Sequence, residues 1–359
     1  MRGTMNVVTP DEPLALSRLA ALIENDIRRR GLGPGDRYLT ARDVGRLLGV
    51  SAMTANRALQ ELAARRVLVR GRRSGSVVGD RLAEGQPVSL RTVHVLLPSD
   101  FFMLEKPLVD LIVAGIHSEL PEDSIQLTFV PAQGEVEFVR RLVETSRTSL
   151  GGVVLLVSTP GVQRFFRDRG LPAVVSGSLH PGIEGLCWVD RDQHEIGRLL
   201  ASAALARGAR RIAVLMRDRW GAGDNRTIEG IQAALAPARL GPDALSVRSF
   251  PADPDLVTGA VRTMLASPGR PDALLCRSRL FADACADAAK RNARGLQVYL
   301  CDHHASDPRP VPYPHTRTTI GPEEHGAKIG RMLRVLAEGR RPDPDHVVIP
   351  VALHDPRER

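Results

Sequence analysis

The sequence predicts two folds in one chain: a small α+β N-terminal domain, then a larger α/β domain of two doubly wound subdomains. Three observations predict it. Two short amphipathic helical patterns separated by a glycine turn precede two β-prone runs joined through glycine. A polar stretch with Gly85 and Pro87 separates this unit from a new apolar run. From residue 92 onward, short apolar runs alternate with helical ones, giving roughly ten strands in two series, the pattern of parallel sheets with helices on both faces.

Within the first unit, residues 14–30 place Leu16, Leu19, Ala20, Ile23 and Ile27 on one helix face. Gly31, Gly33, Pro34 and Gly35 stop that helix. Thr40 then caps a second helix, with Asp43 three residues on as in a capping box. After a Gly49–Val50 turn, Ser51 caps a third, whose inner face is Ala55, Leu59 and Leu62 and whose outer face offers Ala52, Met53, Asn56 and Arg57. This is a helix-turn-helix. Residues 67–70 and 76–78 read as a hairpin, a wing with Arg72 and Arg73 at its tip.

Charge sharpens the reading. The 359-residue chain carries a formal +8, and residues 1–80 hold 14 arginines against 8 acids, a surplus of six in under a quarter of the length. Residues 65–73 hold five arginines and no acid. A basic run beside a helix-turn-helix points to contact with phosphate.

The run Gly33-Pro34-Gly35-Asp36-Arg37…Thr40-Ala41-Arg42-Asp43-Val44, then Leu48-Gly49-Val50-Ser51 through Leu59, resembles the GntR-type winged helix, as does the closing Gly75-Ser76-Val77-Val78. The resemblance implies that Arg42 and the helix start at Ser51 face DNA, and that Gly75 lets the wing approach the minor groove. Where that family often has arginine after the capping serine, this chain has Ala52. Met53, Thr54, Asn56 and Arg57 then become the candidates for base or phosphate contact, with Arg72 and Arg73 from the wing. Two bland alternatives stand beside these: Met53 as core, and Arg57 as an exposed residue pairing with Glu61.

In the larger unit, strands are expected at 93–97, 125–130, 152–157, 173–176 and 186–189, then at 211–215, 246–250, 273–276 and 298–301. Helices are expected at 108–120, 136–146, 162–169, 194–206, 227–235, 255–266 and 281–292. Ligands of such sheets bind beyond the carboxyl ends of the strands. Val189-Asp190…Gly197, Ala206 through Leu215, Arg226…Gly230-Ile231, Val298 through Asp302 and Thr318-Thr319-Ile320…Gly326 resemble the effector domain of LacI/GalR repressors, a periplasmic-binding-protein-like fold, and the order of that resemblance implies a returning strand at 347–353. Arg226 and Asp302 carry over as ligand contacts: one donates to hydroxyls, the other accepts from them. After the strand at 273–276 that family commonly has Asn-Asp, one of which binds the ligand; this chain has Arg277-Ser278, and an arginine there suits a carboxylate or phosphate better than a neutral sugar. Phe101 or Phe102 and Trp188 could stack on a ring or simply pack. His303 and His304 could join the cleft or lie exposed.

The organisation expected is a tail over 1–13, a winged helix-turn-helix DNA-binding domain over 14–79, a linker over 80–91 and an effector-binding and dimerisation domain over 92–354. Its subdomain 1 would take 92–188 and 303–340, and its subdomain 2 would take 189–302 and 341–354. The expected function is a cytoplasmic, homodimeric transcription regulator, by family habit a repressor, that binds double-stranded operator DNA under control of a sugar or sugar derivative, anionic ones included. The alternative keeps DNA binding but makes the large domain a dimerisation scaffold without ligand. A carbohydrate-binding protein or an enzyme ranks lower. The sequence holds no GxSxG, Walker A, HExxH or zinc spacing, and Gly221-x-Gly223 lacks a third glycine. The only lysines that could hold a cofactor in an aminotransferase-like reading are Lys106, Lys290 and Lys328. No catalytic residue, metal site, cofactor or membrane partner is expected. The four cysteines are scattered and read as reduced small apolar residues. No stretch nears the roughly 20 apolar residues that span a bilayer, and residues 1–13 lack the apolar core of a signal peptide.

Overall fold

The structure is a computed structural model that describes residues 16–33, 35–64, 67–71, 75–79, 90, 92–145, 150–292, 295–301, 303 and 309–357. The expected tail and the linker, but for Leu90, lie outside these residues.

Helix α1 (Leu16–Arg29) buries Leu19, Ala20, Ile23 and Ile27 completely. It ends where Gly31 turns left-handed at φ 66°, a conformation that glycine adopts without steric cost. Helix α2 (Ala41–Leu48) begins at Thr40, whose hydroxyl accepts from Asp43 N at 3.3 Å. Helix α3 (Ala52–Ala64) begins at Ser51, whose Oγ accepts from Thr54 N at 3.1 Å, and it buries Ala55, Ala58, Leu59 and Leu62. A two-residue strand, β1 (Arg37–Tyr38), pairs antiparallel with β3 (Gly75–Val78), which pairs in turn with β2 (Leu68–Gly71). The sequence pattern does not predict β1, because two residues are too short to show alternation.

The large domain holds two six-stranded sheets. The first has the order β14-β8-β7-β6-β4-β5, all parallel, from β4 (Thr92–Pro98), β5 (Ser124–Val130), β6 (Leu150–Leu156), β7 (Ala173–Ser176), β8 (Cys187–Arg191) and β14 (His346–Ile349). The second has the order β10-β9-β11-β12-β13-β15, from β9 (Ile212–Arg217), β10 (Leu245–Phe250), β11 (Ala273–Cys276), β12 (Gln297–Leu300), β13 (His315–Thr318) and β15 (Val351–His354). Only β15 runs antiparallel in it. Helices α4 (Ser99–Glu119), α5 (Glu135–Thr145), α6 (Pro160–Arg169) and α11 (Pro322–Ala337) accompany the first sheet. Helices α7 (Gln193–Ala206), α8 (Ala222–Leu235), α9 (Pro254–Ala266) and α10 (Arg279–Asn292) accompany the second.

The chain crosses between the sheets three times, and the crossings differ from expectation. Strand β8 stays in the first sheet, so the first crossing follows residue 191 and not 188. Strand β13 stays in the second, which moves the next crossing from 302 to 318–322. The expected strand over 347–353 is two strands, broken at Pro350 and divided between the sheets. Proline has no N–H for a ladder, so the chain changes partner there. Two hydrogen bonds lace the crossings together: Asp192 N donates to Ile349 O at 2.9 Å, and Thr319 N to Pro350 O at 3.0 Å.

Helix α4 starts nine residues before the expected 108. Glu105 leaves helical geometry (φ −122°, ψ 26°) ahead of Pro107, so a short first segment precedes the long one. That segment carries Phe101 to the space between the sheets. Helix α11 is absent from the expected helices because part of its buried face is Gly326 and Gly330, which register as breaks in an apolar pattern. All four cysteines are buried free thiols.

Candidate functional site

In the N-terminal domain, the start of α3 projects outward. Ser51, Ala52, Met53 and Arg57 are exposed there, Met53 at 70%, so Met53 is not core. The first turn of α3 holds no acid, and its amide groups present the positive end of the helix. Thr54 is half-buried, its hydroxyl 2.8 Å from Ser51 Oγ. Asn56 Oδ1 accepts from Arg70 Nη2 at 2.8 Å, which ties α3 to the first wing strand. Arg42 is exposed on α2. Gly75 opens β3 opposite Gly71. Arg72 and Arg73 lie outside the described residues.

Between the two sheets of the large domain is a cavity of about 930 Å³, lined from both subdomains. Its walls are the carboxyl ends of β6, β7, β8, β9 and β11 and the starts of α4, α8, α10 and α11. The first wall is a hydrogen-bonded net. Asp190 accepts from Ser178 Oγ at 2.6 Å, from Arg191 N at 2.8 Å and from Gln193 Nε2 at 3.1 Å. Its burial pushes the carboxyl above the usual carboxylate range, against the pull of Arg191 and of these donors. Gln163 Nε2 donates to Ser158 Oγ at 3.1 Å and to Ser178 O at 3.3 Å. His325 Nε2 lies 3.1 Å from Ser176 Oγ. At the end of β6 Val157 takes φ 50°, unusual for a β-branched residue and the kind of strain that gathers at functional sites.

The second wall is ionic. Arg277 Nε donates to Asp224 Oδ1 at 2.7 Å. Arg279 donates to the carbonyls of Arg309 and Pro310, both at 2.9 Å, and pairs with Asp283 at 3.4 Å. Two arginines reach across to the first subdomain: Arg217 to Glu105 at 3.1 Å, and Arg219 to Glu135 at 3.4 Å.

Of the predicted ligand contacts, Phe101 and Arg277 line this cavity, as does the buried His303. Trp188 does not. It is the second residue of β8, two positions before the cavity-lining Asp190, and stacks on His346 of β14 (ring centroids 4.9 Å apart, 13° between planes). Phe102 meets Phe129 edge-on, outside the cavity. Arg226 is exposed on α8. Asp224 lines the cavity, and two residues along a helix turn a side chain about 200° away from it. Thr227 is fully buried, its hydroxyl donating to Gln193 Oε1 at 3.3 Å. Asp302 and His304 lie outside the described residues. Sequence reasoning misses Ser158, Gln163, Ser176, Ser178, Asp224 and His325 as cavity residues; their place at strand ends and helix starts is the available signal.

Residues 16–78 match the family described as bacterial regulatory proteins, gntR family. The N-terminal domain is a gntR-family domain. No curated protein matches the chain. Among solved structures, the transcriptional regulator CelR–cellobiose complex is 20% identical, covers 96% of this chain and 98% of its own, and superposes with a TM-score of 0.62. The transcription regulator CcpA of Lactococcus lactis is 16% identical (74% and 97% covered, TM-score 0.61). A LacI family transcriptional regulator from Enterococcus faecium with bound ribose is 17% identical (74% and 97%, TM-score 0.56). The domain behind the gntR head thus has the periplasmic-binding-protein-like α/β fold seen in LacI-type regulators. Among the described residues no helix is long and apolar enough to cross a membrane, and no His, Cys, Asp and Glu group could hold a metal ion.

Proposed function

We infer that the chain is a cytoplasmic, homodimeric repressor whose grip on operator DNA is set by a sugar or sugar derivative held between the subdomains. One observation carries this reading: a cavity at the carboxyl ends of the parallel strands of two sheets, lined by hydrogen-bonding groups from both, behind a gntR head whose α3 start is exposed. The regulators solved with cellobiose and with ribose support the ligand class. Met53 on α3, at 70% exposure, and Arg42, Ser51 and Arg57 beside it would lie against the major groove, with Thr54 and Asn56 positioning that surface. Arg72, Arg73 and Gly75 would follow the backbone from the wing. Two heads of a dimer would then read half-sites about one helical turn apart. Closing the cleft on a ligand would rotate the large domains and change the spacing of the heads, which requires the ligand to favour one arrangement.

The test begins with genomic fragments captured by the full-length protein and continues with fluorescence anisotropy over a salt series. Arg72→Ala with Arg73→Ala should weaken binding about equally on operator and random DNA, and lower the salt slope by about 1 for each phosphate no longer neutralised. No change on random DNA would overturn the wing assignment. A melting-temperature screen against sugars, sugar acids and sugar phosphates tests the cleft, because ligand bound only to the folded state raises stability. Operator binding without any such shift would favour the ligand-free scaffold.

A further inference from the structure

We propose that Asp224 sets the charge of the ligand: by neutralising Arg277 within the cleft, it makes the cavity a site for uncharged polyhydroxylated molecules and turns away carboxylates and phosphates. The proposal rests on the reading that the cleft holds a small molecule, and it reverses the sequence expectation that Arg277 would receive an anion.

Asp224 occupies the third position of α8, where its Oδ2 accepts from Gly221 N at 2.7 Å in a capping arrangement. Its other oxygen takes Arg277 Nε at 2.7 Å, and the two side chains are only 12% and 11% exposed. One carboxylate therefore answers two cationic features of the cavity wall. The first is the guanidinium. The second is the amino end of α8, which would otherwise draw an anion. Swinging the carboxylate aside to release Arg277 to a ligand would also break its hydrogen bond to the helix start.

The other charges of the cavity follow the same plan. Among the described residues six arginines and six carboxylates line it, a formal balance of zero. Arg217 meets Glu105, and Arg279 meets Asp283 and two carbonyls. On the facing wall the buried Asp190 presents oxygens that already accept from Ser178, Arg191 N and Gln193, and so offers no donor to an incoming acid group. Displacing a partly buried pair to admit an anion would strand one charge, a large cost. A hydroxyl can instead accept from a guanidinium already paired, and can exchange hydrogen bonds with Ser158, Ser176 or Gln163 while both signs stay matched.

Inorganic phosphate is the probe, titrated by calorimetry into the full-length wild type, Arg277→Gln, Asp224→Asn and the double variant. The wild type should show no phosphate site that Arg277→Gln abolishes. Asp224→Asn leaves Arg277 uncompensated and should gain a saturable site at least tenfold tighter than any in the wild type, absent from the double variant. An Arg277-dependent phosphate site in the wild type overturns the proposal. So does an Asp224→Asn protein that melts like the wild type and gains no site. Should Asp224→Asn fail to fold, the wild type against Arg277→Gln, which keeps the α8 cap, decides alone: Arg277-dependent binding overturns the proposal, and its lack upholds it. The titration contains neither DNA nor sugar, so loss of operator binding or of sugar-induced stabilisation would sink the regulator or sensor reading separately.

Discussion

Both subdomains of the large domain seat one helix pair on glycine, yet they assemble that pair from different distances along the chain. In the second, α7 and α8 are neighbours in sequence; a Cβ on Gly197 would come within 2.0 Å of Thr227 O, and one on Gly230 within 1.9 Å of His194 O. In the first, α4 meets α11, with Gly115 against Glu323 O (1.9 Å) and Gly326 against Ile112 O (2.0 Å). The whole of α7–α10 separates those partners in the chain. One geometry thus serves a local pairing and a distant one. The first subdomain's core thus joins helices that flank the second subdomain in sequence, and the two are expected to unfold as one unit.

The strongest way to break this comparison is to fill a glycine seat. Gly326→Val should cost about 3 kcal/mol in denaturant unfolding, since backbone and not a flexible side chain stands in the way. Gly230→Val should cost about as much, and each should lower a single shared transition of the large domain. Two separated transitions, only one of them moved by Gly326→Val, would show the subdomains to be independent.

Acid distinguishes the two halves. Burial holds His315 of the second sheet down at about 4, while an unfolded histidine titrates near 6.5. The unfolded chain therefore binds a proton in that window that the folded chain refuses. The stability His315 contributes is whole above about pH 6.5 and falls by roughly 3 kcal/mol as pH drops through 4. In the first sheet burial likewise lowers His94, but Asp190 is raised, so acid relieves that subdomain at one site while loading it at another. His315→Gln should flatten the acid limb of a pH-dependent melt. A limb as steep as in the wild type would place the acid sensitivity elsewhere.

The smallest effect concerns the bridges between the halves. Arg219→Ala removes a half-exposed pair with Glu135 and Asp100, and should cost under about 1 kcal/mol, less at high salt. A loss of several kcal/mol would mean that these bridges, and not the laced crossings, hold the halves together.

How much of the molecule is legible in the sequence depends on how local each signal is. The gntR head is written in adjacent residues: Thr40 with Asp43, Gly49, and Ser51 with Thr54 each fix a cap or turn within one helical turn. Most strands of the large domain are legible as strands, but not by sheet, since helices accompany both sheets; His315–Thr318 is missed altogether, a short polar and basic run with no apolar pattern to mark it. Cavity residues suffer most. Asp224 matters because it meets Arg277, 53 positions away. The sequence pattern favours Arg226 instead, although the two side chains leave α8 on opposite sides. Pairings of that kind leave no periodicity to read.

The break at Pro350 limits what the two halves can do. With one residue between β14 and β15, the lobes are tethered by about 3.5 Å of backbone at that point, and the proline ring removes one of its two torsions. Such a joint permits tilting and twisting and forbids sliding. On the proposed reading, a ligand in the cleft would signal to the N-terminal domain by rotation, and a substitution that loosens Pro350 should blur that signal even where it leaves the ligand's contacts intact.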